Sequence, residues 1–255
     1  MSTLTHHPLL LFPVSFLVLC LSAWMGAAGF KTLRAQVASL HEDFAVVQGA
    51  TLTLLGLIIG FTFSMALTRY DQRKDYEEQE ANAIGTEYVR ADLLPQADRA
   101  KVRELLQTYL EQRILFYTTR DERELDEISA RTVKLQSALW TAVQVPATAQ
   151  PTPVMALVVS GMNDVLNSQG YTQAAWLNRI PDGAWGLMAA IAVCATVLVG
   201  VGARDARTGR GIFVVLPLVL SIAFFLIADI DSPRRGVIHV APLNLHGLSK
   251  SLRAQ

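Results

Sequence analysis

Within the stretch 45–68, Gly49, Thr53, Gly56, Gly60 and Ser64 recur every three or four positions, so a helix stacks them along one side. Two chemistries suit such a face. Small residues let a second helix backbone approach closely, and Gly56 and Gly60 form a GxxxG. Alternatively, the hydroxyls of Thr51, Thr53, Thr62 and Ser64 meet a permeating ion while Ile58, Phe61 and Met65 form an apolar constriction that gates by shedding water. The second chemistry requires several copies around an axis. Further along, Glu80, Asn82, Thr86 and Glu87 share one helical stretch with Gly85, which costs about 1 kcal/mol there against alanine. They either find partners among neighbouring helices or line a vestibule or ligand pocket beside a membrane.

Asp229 and Asp231 lie just before Pro233, with Arg234 and Arg235 just after it. Calcium needs roughly six or more oxygen ligands, and two aspartates beside two arginines supply too few. The group reads instead as ion pairs within or between subunits, with the arginines meeting lipid phosphates. Walker A, GxGxxG, HExxH, GxSxG and CxxC runs are all missing, so no catalytic residue is expected. His6 and His7 sit in the amino-terminal tail, and His41, His239 and His246 are scattered, so neither a metal nor a cofactor is expected. Cys20 and Cys194 each lie inside an apolar block and behave as small hydrophobes.

The elements that must position these residues are apolar helices. Of the 255 residues, 51% are apolar, and they cluster into four blocks. Pro8 to Phe30 carries no charge, and at about 1.5 Å per residue it spans a bilayer core of roughly 30 Å. No Lys or Arg precedes it and it outruns a signal-peptide core, so it reads as a retained span. The other spans are predicted at about 45–68, 183–203 and 211–228. The resulting fold class is all-α: a polytopic membrane protein with two transmembrane hairpins, 1–68 and 183–229, around a helical soluble domain at 69–182, with a tail at 230–255. That soluble part holds 13 basic and 17 acidic residues, which argues against nucleic acid.

Inside it, Tyr70 to Leu94 continues the second span as a helix stopped by Pro95. Gln96 to Thr119 and Asp121 to Val145 follow, the latter with Leu125, Ile128, Thr132, Leu135 and Leu139 on a packing seam. A linker at 146–153 and a short helix from Val154 to Asn167 complete it, and Val237 to Leu248 is expected to pack as an extended tail. Four spans put both termini and the soluble domain on one side. The two short loops carry Lys31, Arg34, Arg204, Arg207 and Arg210, against Arg69, Arg73, Lys74, Arg179, Arg234 and Arg235 on the other flank, so charge leaves sidedness open.

The run from Gly60 to Arg73 (GFTFSMALTRYDQR), then EANAIGT from Glu80 and RADLLP from Arg90, with ADIDSPRRG from Ala228, resembles the bacterial bestrophin-like membrane proteins. The likeness covers nearly the whole chain. It implies an inner-membrane homo-oligomer, a pentamer by analogy with bestrophins, with termini and soluble helices in the cytoplasm. It further implies conduction of chloride or another small anion. The acidic run that forms the calcium clasp of animal bestrophins is missing after the fourth span, so calcium gating is not carried over. A non-conducting scaffold that binds a partner through its soluble helices is the alternative function, and a membrane enzyme the third.

Overall fold

A computed structural model describes residues 7–29, 41–202 and 210–254. Lys31, Arg34, Arg204, Arg207 and His6 lie outside them. Every regular element among the described residues is helical: α1 (Pro8–Gly29), α2 (His41–Arg90), a 3-10 turn (Ala91–Leu93), α3 (Gln96–Thr118), α4 (Glu122–Ala149), α5 (Pro153–Leu177), α6 (Asp182–Gly202), α7 (Arg210–Asp231) and α8 (Leu243–Arg253). Four of them, α1, α2, α6 and α7, contain stretches long and apolar enough to cross a membrane. The chain divides into two compact units, residues 1–70 with 179–239, and residues 71–178 with 240–255. The 50-residue α2 is continuous and contributes to both.

The apolar unit packs α1 against α6 and α7 around Leu19, Leu55, Trp185, Met188, Leu220, Phe224 and Ile227. The tightest approach is between α1 and α6. A Cβ on Gly26 would lie 2.3 Å from the Val197 carbonyl oxygen, and one on Gly200 would lie 2.2 Å from that of Ala23. Only glycine fits there, because both obstacles are backbone. α7 carries Pro217 within it.

The polar unit is a bundle of α3, α4 and α5 with the second half of α2, cored by Val102, Leu106, Leu110, Leu139, Val143, Val158 and Met162. Its helix starts follow local rules. The Asp121 carboxylate accepts from the Arg123 and Glu124 amides at α4, and Thr152 accepts from Met155 at α5, where Pro153 opens the first turn. On the expected seam of α4, Ile128, Thr132 and Leu139 are buried.

Three elements differ from the sequence reading. Pro146 lies inside α4, which runs on to Ala149, since a proline near the end of a helix forfeits few bonds. α5 extends ten residues past Asn167, to Leu177. The tail is no extended strap: 243–253 is a helix, whose first turn is held by Glu77. That carboxylate accepts from Asn244 Nδ2 at 2.7 Å and from the Leu245 amide at 3.0 Å.

Candidate functional site

On α2 the small-residue face is open. Among the described residues, a Cβ at Gly49, Gly56 or Gly60 would meet nothing within 4 Å, so none of them packs there against another helix. Thr53 and Ser64 are exposed on the same side. The Thr53 hydroxyl donates to the Gly49 carbonyl at 2.9 Å, and that of Thr51 to Val47 at 2.8 Å, leaving oxygen lone pairs outward. Thr62, by contrast, is 5% exposed and donates to Ile58, so it belongs to the interior rather than to the open face.

The same phase divides the proposed constriction. Phe61 and Met65 are exposed, but Ile58 packs against the core of the apolar unit. Leu57, 54% exposed, completes the open row with Phe61 and Met65 at successive intervals of four. Sequence reasoning passed over Leu57, although its spacing from Phe61 was the signal.

The residues expected together beyond the span separate. Asn82 and Thr86 are exposed on α2, while Glu80 is wholly buried. Glu80 lies in the interior of the polar unit. Its carboxylate pairs with Arg113 of α3 through Nε and Nη2, and accepts from Tyr117 Oη at 3.1 Å and Thr172 Oγ1 at 3.3 Å. The Arg113 guanidinium also lies over the Phe116 ring at 4.4 Å. Burial alone would lower the Arg113 pKa, but Glu80, with Tyr109 and Tyr117, outweighs it and the net direction is upward. Burial and Glu80 together push the Tyr117 phenol well above its ordinary range. Arg113 had no place in the sequence reading, yet it falls four residues from both Tyr109 and Tyr117, where a cation on an apolar seam calls for a carboxylate.

At the end of α7, Asp229 and Asp231 also have structural partners. Asp229 accepts the Val237 and Ile238 amides at 2.7 and 2.8 Å, and Gly236 lets that turn fold back, since a Cβ there would lie 2.4 Å from the Asp229 carbonyl oxygen. Asp231 accepts the Ile180 amide at 3.2 Å and lies 3.7 Å from Arg69 Nη1. Arg235 meets His7 Nε2 at 2.7 Å, and Arg234 is half-buried. The pair between Asp231 and Arg69 joins the end of α7 to α2. Among the described residues, no cluster of three or more His, Cys, Asp or Glu side chains could hold a metal ion.

No curated protein sequence matches the chain. Solved structures do. A bacterial bestrophin homologue from Klebsiella pneumoniae, crystallised as point variants, matches with a TM-score of 0.66 at 11% identity over 94% of this chain and 97% of its own. A second variant gives 0.67 at 10% identity over 95% and 98%. The form phased on zinc gives 0.63 at 11% identity over 94% of each chain. At such identities the likeness establishes the fold. The Bestrophin-like domain matches residues 15–245, and with nearly the whole sequence covered the chain belongs to that family.

Proposed function

We propose that this chain is a subunit of an ion channel, a homo-oligomer in which α2 from each copy lines the conducting path. One observation carries the reading. Within its most apolar window α2 is only 6% buried by its own chain, against 22%, 39% and 50% for the other three spans. The span most uncovered is also the one bearing Thr53, Gly56, Gly60 and Ser64, which gain little from lipid tails. Closing copies around an axis gives that face an aqueous role, with Leu57, Phe61 and Met65 as stacked apolar rings. The likeness to bestrophins supports five copies. Family membership points to a channel rather than an enzyme.

The sign of the ion has two readings. The bestrophin likeness favours chloride or another small anion. Asp71, Asp75 and Glu78, exposed at intervals of four and three on α2, favour cations, because rings of carboxylates repel anions. Reversal potentials across a salt gradient in planar bilayers separate them. Flux from liposomes tests the channel itself. Wild type conducts, and Leu57→Ala or Phe61→Ala each raises flux about tenfold, equivalent to about 1.4 kcal/mol of dewetting barrier. A sealed assembly, unchanged by either truncation, returns the chain to the scaffold reading. For sidedness we place termini and polar unit in the cytoplasm of an inner membrane; a periplasmic signal from a reporter fused after Gln255 overturns that.

A further inference from the structure

Glu80 and Glu87 sit two turns apart on α2, both wholly buried, yet only Glu80 has a partner. Among the described residues, neither carboxylate oxygen of Glu87 touches solvent or accepts a hydrogen bond. A buried carboxylate without donors is costly when ionised. What it faces is bare backbone of α5. A Cβ on Gly161 would lie 2.1 Å from Glu87 Oε2 and 2.4 Å from Arg90 Nη1, so both side chains occupy the space a larger residue would fill. Arg90 nevertheless donates elsewhere, from Nη1 to the Leu157 carbonyl oxygen at 3.4 Å. Two acceptors thus compete for one guanidinium.

We propose that Glu87 is a proton-operated catch between α2 and α5. Protonated, it rests as a neutral group over Gly161 and leaves Arg90 on the Leu157 carbonyl; ionised, it releases its proton to solvent and draws Arg90 off that carbonyl onto itself. Among the described residues, the charged groups acting on it are Arg90 on its own helix and Asp164 on α5. Burial, opposed by Arg90 and reinforced by Asp164, pushes the Glu87 carboxyl up to about 8. The exchange therefore falls in the neutral to mildly alkaline range. It does not depend on whether the chain conducts.

The sign of the stability effect follows. The folded carboxyl holds its proton to higher pH than the unfolded one, so stability is greatest in acid. It declines as pH rises from about 4.5 to about 8, then levels.

The test uses the full chain in detergent or lipid. Infrared difference spectra of wild type against Glu87→Gln should show a protonated-carboxyl band near neutral pH that vanishes as pH passes about 8. The melting temperature of Glu87→Gln should gain on wild type as pH rises across that window, whereas a merely structural role shifts it equally at all pH. Asp164→Asn, at an exposed residue, removes a like charge and should move the midpoint to lower pH. Its pH-difference spectra need no change at Glu87, so the proposal stays testable if Glu87→Gln fails to fold. No carboxyl band at neutral pH, or an unmoved midpoint in Asp164→Asn, overturns the catch.

Discussion

Glycines do opposite things in two regions of the apolar unit. At the crossing of α1 and α6, Gly26 and Gly200 bring backbone against backbone, with no room for a single added carbon. On α2, Gly49, Gly56 and Gly60 stand clear of every described residue. By sequence alone the second set looked the better packing motif, because it alone contains a GxxxG. The first set was nonetheless marked: Ser22 precedes Gly26, and Thr196 precedes Gly200, by four residues, and both are buried. A small-residue stripe states that close approach is possible; only the partner element decides whether the chain supplies it. α6 is supplied for α1, and among the described residues none is supplied for the open face of α2. That difference is why α2 is the candidate for contact with ion, water or other copies.

The largest effect should come from filling the closed crossing. Gly200→Val sets its new atoms against the Ala23 carbonyl and the backbone of Gly26, obstacles that no rotamer change relieves. Ordinary overpacking costs about 1–3 kcal/mol, and here the helices must separate, so a loss above about 5 kcal/mol is expected. The check is recovery of monodisperse protein in mild detergent. Well-folded Gly200→Val would show the crossing to be looser than its geometry, and the contrast with α2 would dissolve.

Next in size is the closed polar contact of the other unit. Arg113→Ala strands the Glu80 carboxylate in the bundle, at a cost of about 3–5 kcal/mol in denaturant unfolding. Replacing both, Glu80→Gln with Arg113→Met, should recover most of the loss, since an uncharged pair of similar volume leaves no buried ion without a counter-ion. Half of this pair was legible beforehand. Glu77, Glu80, Ile84 and Glu87 recur at three- and four-residue spacing on one side of α2, and all are buried. Carboxylates on a seam announce partners, but the identity of a partner 33 residues away is fixed by how helices meet. The same holds for α8, whose first turn is held by Glu77 from across the sequence. The four spans were legible because freedom from charge over a bilayer's length is a property of composition. The end of α5 was not, since apolar periodicity thins after Asn167, whereas Gln169 and Gln173 bond each other along the helix at 2.9 Å.

The smallest expected effect is also the one that sharpens the comparison most. Gly56→Ala adds a methyl where the chain offers no obstacle, and alanine favours helix over glycine by up to about 1 kcal/mol. The fold of a single copy should therefore be unharmed or slightly firmer, the reverse in sign of Gly200→Val. Thermal unfolding of detergent-dispersed single copies reads that term alone. Oligomer yield by size-exclusion chromatography with light scattering reads a second term, the approach of other copies. If the open face lines water, one methyl leaves assembly intact and alters flux. If it meets another α2 backbone to backbone, assembly fails while the single copy stays sound, and the face then belongs with Gly26 and Gly200, its partner being another copy of the chain instead of a helix within it.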